Sequence, residues 1–438
     1  MTAAELRRAR IAVFGSFFVL GAATATWAAR LPAIKASLHL SDGGLGLALF
    51  AVPAGSVLTL ALSGRIVDAF GAARVTRIAG LLVTAALVAI GLGPATRDLP
   101  VLIAALVWYG AVAGLLDVSM NTCGARLEVG YGRPIMSSLH AGYSIAGLAG
   151  AGIGGIFAWL ALGPLPTFAA AALPLAVLVL LAARWVVLPP VQAQAVGPGD
   201  PPPHPPLPYL EGSRPAASSG GPAPPRTPLA RPPSGRQISV VIWVLGLLAL
   251  CGQLGEGAAS DWSAVYLHAN LGSSAGLAAC ALAAFSVTMA AGRVAGDRLA
   301  ARFGSVALVR GSGLLAGTGL AAGLLIGTPA AGIAGFALLG LGLAGIFPQL
   351  VSAAARLDPS RAGRNIGRIA AVAYLGLLGG PVTIGAAASG VGLRDALLIP
   401  AALAVLVAVA AGVLRSRGDH GDGAAPAPWR DRQQTAAR

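Results

Sequence analysis

The chain has 438 residues, of which 56% are hydrophobic and only 11% charged, and its formal net charge is +14. Soluble domains carry about 25% charged residues, so lipid is the solvent for most of this chain. The arginines lie at the ends of apolar segments rather than in a patch interleaved with aromatic residues. This distribution favours positive-inside membrane topology over nucleic-acid binding. The phosphate-binding loop of ATP-driven transporters is absent from the sequence, where Lys35 is the only lysine.

The first 188 residues contain six apolar segments, each close to the length of about 20 residues that crosses the hydrocarbon core as a helix. They span about 11–29, 44–63, 75–94, 99–122, 135–160 and 166–188. The arginines before the first segment would also suit a cleavable signal peptide. A retained helix is favoured, because its removal would leave an odd, unpaired set of helices.

Residues 189–237 interrupt the apolar pattern and hold 16 of the 31 prolines. Their composition predicts a disordered or polyproline-type linker. Six further segments follow, at about 238–258, 274–291, 305–327, 330–355, 366–389 and 393–414. The sequence therefore predicts a bundle over 1–188, a cytosolic linker over 189–237, a second bundle over 238–414 and a cytosolic tail over 415–438.

The basic residues predict the orientation of these twelve segments. With both termini in the cytosol, 26 of the 30 basic residues lie on the inside and four on the outside. Those four are Arg30, Lys35, Arg97 and Arg394. This asymmetry predicts a multi-pass protein of a bacterial-type cytoplasmic (inner) membrane, in contact with the lipid bilayer.

A short motif occurs twice, each time between two apolar segments. The first copy is Gly64, Asp68, Gly71 and Arg74, and the second is Gly292, Arg293, Asp297 and Gly304. Each copy is interpreted as a tight gating loop, in which the acid caps a neighbouring helix or pairs with an arginine. The two acids are 229 residues apart, slightly more than half of the chain. That spacing indicates a duplicated bundle.

This pair of motifs resembles the loops between helices 2 and 3 and between helices 8 and 9 of the major facilitator superfamily. The resemblance covers nearly the whole chain. It implies an all-α membrane protein with twelve transmembrane helices in two pseudo-symmetric six-helix bundles. It also implies alternating access to a small-molecule site between the bundles, in a protein that works as a monomer.

Asp117 is the foremost candidate for chemistry, because an acid inside the membrane usually marks a pathway. Asn121 lies one helical turn further on the same face. Burial favours the protonated acid, which makes Asp117 a candidate proton carrier. The alternative is an ion pair with Arg126. Members of the superfamily similar to the fucose permease have an acid and an asparagine one turn apart in this helix. The resemblance implies proton coupling at Asp117 and solute binding at Asn121.

His140 is predicted at nearly the same depth as Asp117. A histidine titrates near neutral pH, so the two could form a proton relay, whereas a hydrogen-bonded packing role is an equal alternative. Tyr143, on a nearby face of the same helix, could contact a polar ligand.

In the second half, Glu256 lies between two glycines, so the helix could break there, as gating helices do. Glu256 is a further candidate for proton coupling. The segment 256–263 looks like one in uncharacterised bacterial inner-membrane relatives of the fucose permease. The remaining candidate solute contacts are Gln253, Gln349 and Tyr374, for which ordinary helix–helix hydrogen bonding is the alternative.

The function predicted from these features is proton-coupled secondary transport of a small polar solute across the cytoplasmic membrane. The alternatives are a proton-driven exporter of an amphiphilic compound and, in a different class, a non-transporting membrane sensor. The sequence shows no nucleophile or metal constellation of an enzyme, and no cofactor is expected. The expected partners are the solute and protons.

Overall fold

The computed structural model describes residues 2–40, 48–185, 188 and 235–414. Within these ranges every regular element is a helix. Ten helices are long and apolar enough to cross a membrane. Ala51–Phe70 adds an eleventh. The long helix Ala275–Ile326 turns back at Gly304 and supplies two spans instead of one. The twelve predicted spans are thus accounted for.

The first bundle consists of six helices. They are α1 (Ala3–Ala28), α2 (Ala51–Phe70), α3 (Ala72–Thr96), α4 (Leu99–Tyr131), α5 (Met136–Trp159) and α6 (Pro164–Ala183). A short helix, Leu31–Ser37, follows α1. Helix starts are set by local sequence: Thr2 and Glu5 form a capping box on α1, and Asp98 accepts a hydrogen bond from the amide of Val101 on α4.

The second bundle has the same plan. Its helices are α7 (Gly235–Val265), α8 and α9 (the two arms of Ala275–Ile326), α10 (Pro329–Leu357), α11 (Ala362–Val391) and α12 (Leu393–Leu414). α10 is interrupted at Ala344 and Gly345, just before Pro348, which cannot donate a backbone hydrogen bond. α7 passes through Glu256 as a regular helix and ends in a π-helical turn, Tyr266–Asn270. The predicted break at Glu256 is therefore wrong, and the interruption lies in α10.

The repeated motif is helical rather than a loop, which corrects the sequence interpretation. Asp68 lies inside α2, and Asp297 lies inside the α8 arm. The turn itself is reduced to a single glycine in each copy: Gly71 has φ 85° and Gly304 has φ 78°. Only glycine adopts such angles without strain, so one residue is enough to reverse the chain.

α4 ends later than its hydropathy predicts. It runs to Tyr131, where Gly132 adopts a left-handed conformation, whereas the apolar segment ends near residue 122. Asp117 therefore lies about 20 Å from the end of the helix, at a rise of 1.5 Å per residue. Asp117 is therefore near the middle of α4.

The two bundles have separate apolar cores that meet on α10 and α11. Val351, Ala355 and Ile366 of the second half belong to the core of the first bundle, and Phe347 packs against both cores. We call the end of the bundles that carries Asp68 and Asp297 the motif end. Its location in the cytosol remains a prediction from the charge distribution.

Candidate transport site between the two bundles

Asp117 and Asn121 are brought together as their spacing on α4 predicts. The Asn121 amide nitrogen lies 3.1 Å from Asp117 Oδ1 and 2.9 Å from the Asp117 backbone carbonyl oxygen. The Asp117 side chain is half-buried, and Asn121 is fully buried. The asparagine thus holds the carboxyl group in one orientation along the helix.

His140 reaches the same group from α5. Its Nε2 lies 3.0 Å from Asn121 Oδ1. Because the Asn121 nitrogen already donates to Asp117, its oxygen accepts here, and His140 Nε2 must carry the proton. The imidazole is held between Phe17 of α1 (centroids 4.8 Å apart) and Phe347 of α10 (5.6 Å). Asn121 therefore lies between the two groups of the predicted relay, and the histidine touches both bundles.

Arg293 enters this space from the second bundle. Its guanidinium donates through Nη1 to Ser144 Oγ of α5 at 2.8 Å. Its Nη2 lies 3.6 Å from Glu256 Oε2 of α7. The residue is only 8% exposed, and its Nε has no hydrogen-bond partner. Arg293 was assigned to the gating motif, and the structure places its charge between the bundles, beside Glu256.

Two tyrosines link the acid of the first bundle to the ion pair of the second. Tyr143 of α5 lies within electrostatic range of Asp117, Glu256 and Arg293. Tyr374 of α11 lies within range of both acids and packs against the core of the first bundle. Both side chains are half-buried. The solute contacts assigned to Tyr143 and Tyr374 stay predictions.

Two residues missed by the sequence reasoning support this group. Tyr109 of α4 and Thr24 of α1 have their hydroxyl oxygens 2.7 Å apart. Thr24 donates to the Leu20 carbonyl, so Tyr109 is the donor to Thr24. The i, i+4 spacing of Tyr109 with Asp117 through Ala113 was the signal that could have pointed to Tyr109.

The two candidate glutamines differ in their surroundings. Gln253 of α7 is half-buried, one turn before Glu256. Gln349 of α10 is 1% exposed, and its Oε1 accepts a hydrogen bond from Ser305 Oγ at 2.7 Å. Ser305 directly follows the turn at Gly304, so Gln349 lies near the motif end. The solute contacts assigned to both residues stay predictions.

At the motif end, Asp297 caps a helix of the opposite bundle. Its Oδ1 accepts from the Ser137 amide at 2.8 Å and its Oδ2 from the Ser138 amide at 3.0 Å, at the start of α5. Asp68 has the equivalent place at the start of α11, where its carboxylate faces the amides of Gly363 and Arg364. Its Oδ2 lies 4.0 Å from Arg364 Nε. Arg74 is exposed in the first turn of α3.

Glu128 and Arg356 form a further bridge between the bundles that sequence reasoning missed. Glu128 Oε1 lies 3.1 Å from Arg356 Nη1 at the end of α10. Glu128 Oε2 accepts from the amides of Ile135 and Met136 at 3.0 and 3.1 Å. The amide of Ile135 and the first three amides of α5 are therefore satisfied by two carboxylates, one from each bundle. The sequence signal that could have pointed to this bridge is Glu128 itself, an acid between Arg126 and Arg133.

Comparison with known proteins agrees with this architecture. The family model described as Major Facilitator Superfamily matches residues 12–268 and 245–437. The chain is 32% identical over 407 residues to the uncharacterized transporter y4wD of Sinorhizobium fredii, covering 92% of this chain and 97% of the relative. It is 31% identical over 374 residues to an uncharacterized MFS-type transporter of Yersinia pestis, covering 84% and 86%.

A solved structure shows the same fold. The chain superposes on the transporter FucP in its outward conformation with a TM-score of 0.72 and 14% identity, over 93% of this chain and 98% of FucP. Another structure describes FucP as the E. coli fucose:proton symporter. At this identity the likeness shows the fold alone. On its family match and its relatives, the chain belongs to the Major Facilitator Superfamily, a family of transporters rather than enzymes.

Proposed function

We propose that the protein is a proton-coupled secondary transporter that carries a small polar solute across the cytoplasmic membrane by alternating access. The observation that carries this proposal is the arrangement between the bundles. The Asp117–Asn121–His140 group of the first bundle faces the Arg293–Glu256 pair of the second. Buried ionisable groups in a membrane bundle are costly, and they are typical of substrate and proton pathways.

Asp117 is the proposed proton carrier. The amide nitrogen of Asn121, a neutral group, donates a hydrogen bond to its carboxylate. Protonation of Asp117 therefore removes a charge that this bond does not neutralise. A protonated Asp117 is tolerated in the closed interior, whereas the ionised form favours a state in which the site meets water. Release of the proton on one side of the membrane would thereby bias the rocking of the bundles.

Asn121, Tyr143, Gln253 and Tyr374 are the proposed solute contacts, and Gln349 is a more remote one. The amide and phenol groups can donate and accept hydrogen bonds, which suits a hydroxylated or otherwise polar solute. The bonds of Asp297 and Arg293 to α5 would hold the motif end closed while the solute binds. With the motif end in the cytosol, this state would receive the solute from outside.

Reconstitution into proteoliposomes tests the proposal. A panel of sugars, amino acids and antibiotics is screened for solute-dependent proton movement and for accumulation driven by an imposed pH gradient. We expect Asp117→Asn to lose proton-driven accumulation and to retain solute exchange at equal concentrations, because the neutral amide mimics the protonated acid. Asp395→Asn, at an exposed position in the first turn of α12, is the matched control.

The outcomes separate the candidate functions. Equal proton-driven accumulation in Asp117→Asn and wild type would exclude Asp117 as the proton carrier. Proton-driven efflux of an amphiphilic compound would support the exporter instead. A protein that moves no solute under any gradient would favour the sensor.

A further inference from the structure

We infer that the solute is an organic anion, whose carboxylate binds the guanidinium of Arg293 in exchange for the carboxylate of Glu256. This inference rests on the proposed function, because it assigns a solute class to the same site between the bundles. It adds a second protonation step at Glu256, which makes Arg293 available to the solute.

The first step of the argument is the unfilled edge of Arg293. Nη1 is bonded to Ser144, but the other edge, formed by Nε and Nη2, lacks a close partner. Among the described residues, the buried Nε has no hydrogen-bond partner, and Nη2 lies 3.6 Å from Glu256 Oε2. A carboxylate can bind this edge with two parallel hydrogen bonds of about 2.8 Å. The ion pair with Glu256 does not form these two parallel hydrogen bonds.

The second step is the difference in exposure between the two partners. The Arg293 side chain is 10% exposed and the Glu256 side chain 27%. A buried cation needs a counter-charge at all times, because an isolated charge is very costly to bury. Glu256 is the more accessible of the two partners. Arg293 keeps its charge at every physiological pH.

The third step is the charge balance of the exchange. With Glu256 ionised and Arg293 positive, the pair is neutral. When a proton binds Glu256 and a monocarboxylate binds Arg293, the site is again neutral. One proton and one monoanion therefore enter together, and no net charge crosses the membrane in that step. Two carboxylates on one guanidinium would leave an uncompensated negative charge.

The other titratable groups around this pair come from α7 itself and from three further helices. His140 and Tyr143 of α5 and Asp117 of α4 lie on the first-bundle side, and Tyr374 of α11 lies within electrostatic range of Glu256. Asp261 is on α7 itself, more than one turn further on, and is exposed. Arg293 is the cation that Glu256 contacts directly. A purely structural ion pair is the competing interpretation.

The test measures binding to the purified full-length protein by thermal stabilisation. The probes are three carboxylates and their matched neutral partners: gluconate with glucitol, lactate with lactamide, and benzoate with benzamide. Each is titrated at pH 5.5 and 7.5, where the carboxylates remain ionised. We expect at least one carboxylate to bind about tenfold more tightly at pH 5.5, and its neutral partner not to bind.

Two variants at the pair give opposite results if the inference is correct. Glu256→Gln frees Arg293 permanently, so the carboxylate binds equally well at both pH values. Arg293→Lys keeps the charge but loses the two-bonded edge, so binding weakens at least tenfold. Arg302→Lys, at an exposed position near the turn at Gly304, is the matched control.

Three results would overturn the inference. They are equal binding of a carboxylate and its neutral partner, pH-dependent carboxylate binding that persists in Glu256→Gln, and failure of every carboxylate to bind. None of them bears on Asp117. Proton-driven accumulation of a neutral solute that is lost in Asp117→Asn would keep the proposed function while this inference fails.

Discussion

Asp297 of α8 completes the amino-terminal cap of α5 by accepting the Ser137 amide hydrogen at 2.8 Å, across the boundary between the bundles. α5 has no side-chain cap of its own at this end. Arg10 of α1 joins the group, with Nη2 2.7 Å from Ser138 Oγ and 3.9 Å from Asp297 Oδ2. The cap of α5 is therefore shared between the bundles, and separating them at this end would break it.

Asp297→Asn should weaken this closure. The amide keeps the shape but loses the negative charge at the helix end and one of the two acceptor oxygens. We expect a loss of about 1–2 kcal/mol, which shifts the closed–open equilibrium roughly 5- to 30-fold toward the open motif end. Distances between spin labels at the exposed positions 70 and 303 measure the shift.

Asp68→Asn is the companion variant for that measurement. Its carboxylate faces two amides of α11 in the same manner, so a shift in the same direction is expected. Unchanged label distances in Asp297→Asn would show that the cap does not hold the motif end closed.

Glycines at the motif end allow the two bundles to approach closely. A Cβ atom on Gly64 would lie 2.5 Å from Arg364 Cα, and one on Gly296 would lie 2.6 Å from Ser137 Cβ. Alanine at either position should therefore keep the motif end from closing and should slow transport. The same label distances and the rate of solute exchange are the measurements.

Gly311→Ala is the control for these variants, because a Cβ atom there meets nothing within 4 Å. All three substitutions raise helix propensity by about the same amount. Transport at the wild-type rate in both Gly64→Ala and Gly296→Ala would contradict the predicted role of close approach.

The Glu128–Arg356 bridge should show unequal contributions from its two partners. Arg356→Ala removes one ion pair from a side chain that is 44% exposed, which costs at most about 1 kcal/mol. Glu128→Ala also leaves the Ile135 and Met136 amides without their acceptor, which costs about 1–3 kcal/mol more. Thermal unfolding in detergent, as a double-mutant cycle, separates the two contributions. Equal losses from the two single variants would exclude the capping role of Glu128.

His140→Gln should keep most of the proton-driven accumulation. Asn121 separates His140 from Asp117, and a neutral amide has no proton that it exchanges readily. A glutamine nitrogen can replace His140 Nε2 as the donor to Asn121. His140→Leu leaves the buried Asn121 oxygen unpaired and should reduce transport. Loss of proton coupling in His140→Gln, with exchange intact, would establish the relay instead.

The sequence predicted the parts of the molecule that depend on local chain properties. Twelve apolar segments and two motifs that contain glycine and an acid were enough to predict the helices and the family. Asp117 and Asn121 share a face because four residues make nearly one turn. Their hydrogen bond follows from spacing alone.

Other features depend on how distant helices rotate against one another. The contact of Arg293 with Glu256 joins α8 to α7, and its bond to Ser144 joins α8 to α5. The hydropathy pattern does not determine how α8 is rotated against α7 or against α5. The hydropathy pattern also predicts too early an end for α4, because the helix continues through polar residues and ends only at Gly132. The motif was interpreted as a loop because each copy lies between two apolar segments, but the helices continue through Asp68 and Asp297 to the turns at Gly71 and Gly304.

The shared cap on α5 makes hydration part of the transport cycle. When the motif end opens, the Ser137 and Ser138 amides, the Asp297 carboxylate and the Arg10 guanidinium exchange protein partners for water. Each opening therefore takes up water, and each closing releases it. Excluded osmolytes such as sucrose favour states that expose less surface. Osmotic stress on this face should thus hold the transporter in the state described here, whatever the solute gradient.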